Sequence, residues 1–494
     1  MSASPQQSAS TASTLANRGS DHGLKQNTLG VLDVAFFIIA AASPLTGVIA
    51  IVPIMMSIGN GNGSPATFLL AAGILLLFAV GYVAMTRHVS NAGALYAYVT
   101  LGLGQSTGLG TAALTIFSYS AIQIGLYGGF GYYAAELISN GLGIHIPWWL
   151  CSVIAALLCL FLGMKGVHSG AKVLGVLLSF ECILLLVLSG GILLFSPIPV
   201  SSFTLTPFSP TSLLTPGLGV GLMFACATFI GFEGSAIYSE EARDPKRTIP
   251  RATYFSVIFM GLVYSIVTWL VICVLGEQNA VAVATKESGN LIFRVSDMVL
   301  GSWATHFFNV FIVTAIFAAI VTFHNNIARY LYSLGRQNLV WSALGHTLSK
   351  AQTPHVACIV QTVSAVAAVL VFALLKLDPY AILFASMTGM GSIGIILAQT
   401  IAAVAIFVFF RRNQSLDNRV WHTFVAPLAA VIGLSTFLYY AMTSVELLLG
   451  ITGTWATILA ALVFVIFGAG VFYGLFVKLT DPNKYERVKK VLTE

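Results

Sequence analysis

The 494-residue chain is poor in charge: 8% of its residues are Asp, Glu, Lys or Arg, against roughly 25% in an ordinary soluble domain. A chain of this composition cannot turn most of its surface to water. Its 23 basic and 17 acidic residues leave a net charge of +6, too small and too scattered for a nucleic-acid-binding surface. Cysteine is also scarce. The six present (Cys151, Cys159, Cys182, Cys226, Cys273, Cys358) sit within or at the ends of apolar stretches, at no metal-ligand spacing. They imply no disulfide framework and no metal, and read as small buried hydrophobes. No Walker lysine, zinc-binding helix or nucleophile elbow occurs. Gly102-Leu103-Gly104-Gln105-Ser106-Thr107 has Thr107 in place of the third glycine of a dinucleotide loop and no surrounding βαβ unit. These absences disfavour an ATP-driven pump or a membrane enzyme, and no cofactor is expected.

Apolar residues are abundant, at 57% of the chain. A bilayer core needs about 20 helical residues to cross it, and twelve runs qualify: 31–57, 66–86, 109–138, 147–164, 173–195, 217–240, 251–275, 303–324, 356–375, 380–410, 421–443 and 453–477. The fold class this predicts is all-α and integral to the membrane. Residues 1–28 and 478–494 read as tails, the first disordered; no apolar core precedes residue 29, so no secretory signal is expected. With an even number of spans both ends share one side. Twenty of the 23 basic residues fall on that side, and Lys286, Arg294 and Lys376 on the other. The positive-inside rule therefore predicts cytoplasmic termini in a multi-pass plasma-membrane protein.

Two spans carry the means of their own interruption. Span one reads Ala42-Ser43-Pro44-Leu45-Thr46-Gly47; Pro44 removes a backbone donor and Gly47 lowers helix propensity. Span six reads Phe229-Ile230-Gly231-Phe232-Glu233-Gly234, two glycines around an ionisable residue. Either alone is also what a proline kink or a packing glycine pair produces. Together they occupy corresponding positions of two five-helix halves of opposite parity, the sequence mark of an inverted-repeat transporter with its site at the breaks.

After the second break comes Ser239-Glu240-Glu241-Ala242-Arg243-Asp244-Pro245-Lys246-Arg247-Thr248-Ile249-Pro250-Arg251. With Gly231-Phe232-Glu233 before it, this stretch resembles the amino acid–polyamine–organocation (APC) superfamily. Asn91-Ala92-Gly93-Ala94-Leu95-Tyr96 and Ala328-Arg329-Tyr330-Leu331-Tyr332-Ser333-Leu334-Gly335-Arg336 resemble its Gly-x-x-Tyr segment and its loop after helix eight. The likeness runs over residues 29–410 and less distinctly beyond. It implies a leucine-transporter-like five-plus-five inverted repeat: residues 29–195, an inverted 216–410, and two further helices at 421–477. Helices 1 and 6 are discontinuous in that fold, and the substrate lies between helices one, three, six, eight and ten.

On that resemblance the substrate-binding candidates are Ser43, Pro44, Leu45, Thr46, Gly47, Phe229, Ile230, Gly231 and Phe232 at the breaks, with Tyr119 and Gln123 from one face of span three. Amino-acid carriers of the superfamily hold the substrate carboxylate on a Gly-Ser/Ala-Gly segment, and here Pro44 offers no N–H. The substrate is then an amino acid or a carboxylate-free amine such as a polyamine or biogenic amine. Acids inside spans are functional candidates by default. Glu233 at the second break and Glu181, nine residues after Lys172 in span five, are the proton-coupling candidates. Glu136 reads as solvated, and His324 as an interfacial histidine bonded to Asn325 or Asn326. Glu240, Glu241, Arg243, Asp244, Lys246, Arg247 and Arg251 form a candidate ion-pair gate at the inner mouth. The reading is a secondary transporter importing an amine-bearing solute by alternating access, with protons as the coupling ion. The alternatives are an exchanger and, with less support from Thr314 and Thr322, a sodium symporter.

Overall fold

A computed structural model describes residues 24, 26–86, 88, 93–165, 167–348 and 351–486. Twelve helices there are long and apolar enough to cross a bilayer. They are α1 (Val31–Ser57), α2 (Gly61–Met85), α3 (Gln105–Leu142), α4 (Trp148–Lys165), α5 (Ala171–Phe195), α6 (Leu218–Tyr238), α7 (Pro245–Leu275), α8 (Ser302–Arg336), α9 (His355–Leu374), α10 (Pro379–Arg412), α11 (Trp421–Thr443) and α12 (Thr454–Thr480). Among the described residues the extended structure is a single parallel bridge, Leu29 to Ala242.

Local chemistry sets several helix starts. Asp33 accepts the Gly30 N–H at 2.8 Å in the first turn of α1, where a carboxylate also complements the helix dipole. Asp378 caps α10 by accepting the N–H groups of Tyr380 and Ala381 at 2.8 and 2.6 Å, with Pro379 as the first helical residue. Outward faces of the peripheral helices are apolar and exposed, among them Leu157, Phe161, Leu186, Leu374, Ile432 and Phe472. Such a surface suits hydrocarbon. Inside, α3 packs against α4, α8, α10 and α12, while α1 packs against α5, α7 and α8.

Both expected interruptions are present. α1 is helical to Ala42, Ser43 turns left-handed at φ 46°, and the helix restarts at Pro44. α6 is helical to Thr228, Gly231 sits at φ 115°, and a tighter 3₁₀ segment runs over Phe232–Tyr238. A Cβ on Gly231 would lie 2.4 Å from that of Ala41, so the two broken segments touch there, and glycine serves both the turn and the approach.

Three expectations need correction. α8 continues twelve residues past its apolar run, so Ala328–Arg336 forms its last turns rather than a following loop. It can do so because those turns are wrapped in protein, with Arg329 and Tyr330 buried. His324, expected at the interface beside Asn325 or Asn326, is fully buried and its Nδ1 bonds Gln361 of α9. The expected disordered segment 1–28 lies mostly outside the described residues, but Thr28 and Leu29 donate their N–H groups to the Glu241 carbonyl at 2.9 and 3.1 Å. Of the C-terminal tail, 487–494 lie outside the described residues, while the Tyr485 hydroxyl is 3.0 Å from that of Ser106.

Candidate functional site

The two breaks border a cavity of about 290 Å³, lined by α1, α3, α6, α8 and α10 together with the α11–α12 connection. Its polar wall is hydroxyl-bearing: Ser43, Thr46, Thr228, Thr388, Ser392 and Tyr380. The rest is apolar, including Ile122, Leu126, Phe224, Ile230, Phe323 and Phe384, and no charged side chain or histidine is among the lining residues. The cavity extends from the breaks toward the face opposite the termini, as Ile54, Tyr380 and Leu447 mark.

Ser43, Thr46, Gly47 and Ile230 line this space, and the other sequence candidates do not. The Ser43 and Thr46 hydroxyls face each other at 2.7 Å. Phe229 packs edge-on against Tyr264 and Phe232 against Phe78. Tyr119 donates its hydroxyl to Glu233 at 2.7 Å. Gln123 donates to the Ile320 carbonyl at 3.3 Å and accepts from Gln361, within a buried chain ending at His324. Pro44, Leu45 and Gly231 belong to the backbone behind the wall.

Two of the buried carboxyl groups, Glu181 and Glu233, each serve a broken helix, in different ways. Glu181 of α5 accepts the Leu45 N–H at 3.3 Å, capping the restarted half of α1. Its other oxygen, Oε1, is buried without a hydrogen-bond partner. Glu233 is saturated: Tyr119 and Gln399 donate to it at 2.7 and 2.9 Å, and the Gly231 N–H lies 3.2 and 3.1 Å from its two oxygens. Tyr82 bonds its carbonyl. Lys172 is exposed at the start of α5, and Glu136 is exposed at the far end of α3. The Thr314 and Thr322 hydroxyls bond carbonyls of their own helix, Phe311 and Ala318, at 3.0 and 3.1 Å.

Tyr264 of α7 joins the breaks directly. Its hydroxyl lies 3.2 Å from the Ala42 carbonyl and 3.4 Å from that of Thr228. Gly47 admits the ring: a Cβ there would come within 2.6 Å of it.

Below the cavity, toward the termini, the chain is closed in layers. Tyr119 meets Phe323 and Tyr330 edge-on. Beneath them Arg329 binds Glu241 through two bonds, 2.6 and 3.0 Å, with both side chains 2% exposed. Arg336 grips Glu240 at 3.0 and 2.7 Å. Both arginines that hold these glutamates are thus on α8. Arg243, Lys246 and Arg251 are exposed, and Arg247 pairs with exposed Asp244 at 3.6 Å.

Sequence reasoning missed Tyr264, Gln361, Gln399 and the α8 arginines as partners. The two glutamines stand out only as amides inside apolar spans, the kind of group that must find a partner in a neighbouring helix.

A twelve-helix membrane bundle with a cavity at two touching helix breaks, closed on one face, is the architecture of a membrane transporter. The chain belongs to the amino acid permease family, whose pattern matches residues 29–469, and so to the APC superfamily. It is 22% identical over 448 residues to the branched-chain amino acid permease BcaP of Bacillus subtilis, covering 84% of this chain and 85% of that one. It is 21% identical over 334 residues to the low-affinity putrescine importer PlaP of Escherichia coli, covering 67% and 71%. A third relative, the L-methionine/branched-chain amino acid exporter YjeH of Escherichia coli, is 26% identical over 310 residues, 59% of this chain and 66% of that one.

Proposed function

We propose that this chain imports amino acids with apolar side chains across the plasma membrane by alternating access and proton symport, its termini cytoplasmic. The cavity's lack of charge carries the substrate choice. A diamine such as putrescine brings two ammonium groups, and an unpaired buried charge is expensive. A zwitterion brings its own counter-charge and an apolar side chain that suits walls such as Ile122, Leu126 and Phe384. That two relatives carry branched-chain substrates in their names supports the same choice. The carboxylate need not rely on Pro44, since the Ser43 and Thr46 hydroxyls front the cavity.

Glu181 is the proton carrier in this reading. It holds the α1 break by one oxygen and has a second oxygen free to take a proton. Protonation in one facing state and release in the other would tie the gradient to the motion of α1. Glu233, bound by three donors, holds α6 against α3 and α10. The basic excess on the terminal side supports cytoplasmic termini. The conformation is then outward-facing, with Arg329–Glu241 and Arg336–Glu240 closing the inner gate.

The test is uptake by reconstituted proteoliposomes with the interior made alkaline. Leucine should accumulate above its external concentration, collapse with a protonophore, and outcompete putrescine. Uptake of putrescine in preference to leucine overturns the substrate reading, and leucine accumulation that survives the protonophore overturns the coupling.

A further inference from the structure

A second cavity lies on the face opposite the termini. It has a volume of about 590 Å³ and is lined by the outer end of α3, the start of α8, the start of α10 and residues 289–293. Its chemistry is the opposite of the inner cavity's. It contains a carboxylate, Glu136, and three tyrosines, Tyr132, Tyr133 and Tyr380. The rings form a corner: Tyr132 stacks on Tyr380 at 5.2 Å, Tyr133 meets Tyr380 edge-on at 5.7 Å, and Tyr132 and Tyr133 stand at 80° to each other. His306 of α8 completes the lining.

Tyr380 lines both cavities. Its inner side stacks on Phe384 at 5.5 Å and 10°, and Phe384 is a wall of the inner cavity. An unbroken aromatic stack, Tyr132–Tyr380–Phe384, thus runs from the outer space to the inner one. The surroundings suit a cation. On this face Glu136, Glu277, Glu287, Asp297, Asp378 and Glu446 outnumber Lys286, Arg294 and Lys376, and Arg294 is already paired with Glu287.

We propose that Glu136 with Tyr132, Tyr133 and Tyr380 forms an outer binding site for a primary ammonium group, occupied before a solute reaches the uncharged inner cavity. Aromatic faces attract a cation, and an adjacent carboxylate supplies the charge that the inner cavity lacks. The proposal rests on the amine-bearing solute class argued above. The site gives an ammonium-bearing solute a first foothold outside the uncharged inner cavity: the amine is held at the rim, and the aromatic stack gives it a continuous surface to move along.

The probe is n-butylammonium chloride, titrated calorimetrically into the purified full-length protein, with n-butanol as the uncharged control. Wild type should bind the ammonium saturably and the alcohol not at all. Glu136→Gln, a change at an exposed side chain, should weaken binding at least tenfold, and Tyr132→Leu several-fold. Ile230→Trp, which fills the inner cavity, should leave the affinity unchanged. No saturable binding to wild type, or unchanged binding to Glu136→Gln, overturns the proposal; so does binding lost in Ile230→Trp alone, which would put the ammonium in the inner cavity. Leucine uptake by wild type is read separately, so failure of the transport reading is distinguishable from failure of this one.

Discussion

The Glu181 carboxylate receives the Leu45 N–H at 3.3 Å across 136 positions of sequence. Through that bond a side chain of α5 takes the place of the helical partner that the α1 break removes. Leu45 follows Pro44, where the restarted helix has unsatisfied N–H groups and a partial positive charge. A carboxylate is well matched to that position, and a proton arriving on it would weaken the match. Glu181→Gln keeps an acceptor for Leu45 but cannot exchange a proton. The expected result is exchange of internal for external leucine at near wild-type rate, with gradient-driven accumulation reduced to equilibration. Accumulation retained in this variant removes Glu181 from the coupling.

Glu233 should respond differently to the same substitution. Its oxygens take bonds from Tyr119, Gln399 and Gly231, so an amide nitrogen would face donors. Each group stranded costs roughly 1–3 kcal/mol. Glu233→Gln should therefore lower the midpoint of thermal unfolding in detergent clearly, while Glu181→Gln shifts it little. Equal melting of the two variants would contradict this division of labour.

At the closed face, Arg329→Ala leaves Glu241 buried and unpaired, a loss of about 3–5 kcal/mol for a broken buried pair. Arg329→Met combined with Glu241→Met removes both charges and should recover most of the stability. It should also unseal the gate, seen as faster labelling of a cysteine placed at Ser235. Lysine at 329 should not restore the wild type, because two bonds to Glu241 require the guanidinium fork.

The contact between Gly47 and Tyr264 gives a steric prediction. Gly47→Ala pushes a methyl into the ring, an overpacking that costs roughly 1–3 kcal/mol. Tyr264→Ala makes room while losing the bridge to Ala42 and Thr228. The double variant should be less destabilised than the sum of the single ones, with a coupling of about 0.5–3 kcal/mol for residues in contact. Strict additivity in thermal or denaturant melts would show that the two do not touch.

Behind the cavity, Gln361→Leu strands the Gln123 Oε1 and the His324 Nδ1 together. The expected loss is roughly 1–3 kcal/mol for each. Gln414→Leu, an exposed glutamine, should leave the melting temperature unchanged. Comparable melting of the two variants would remove the buried chain from the account.

Twelve spans, two interruptions and a sidedness of charge were legible in the sequence, because each depends on one residue and its solvent. Whether a segment enters hydrocarbon is a sum over its own side chains, and Pro44 and Gly231 weaken their helices locally, although α7 runs unbroken through Pro250. Pairing is another matter. Glu240 and Glu241 stand in a loop full of arginine and lysine, yet each is gripped by an arginine nearly a hundred positions on, Arg336 and Arg329. Tyr119 and Gln123 share a helical face with the expected site, yet a rotation of α3 turns them to Glu233 and Gln361. Two acids that look alike in sequence become one with a free oxygen and one with none. Hydropathy is local and additive, so the sequence determined the solvent, the crossings and the breaks. Hydrogen-bond geometry depends on the relative rotation of packed helices, so which group meets which was set only by how the bundle packs.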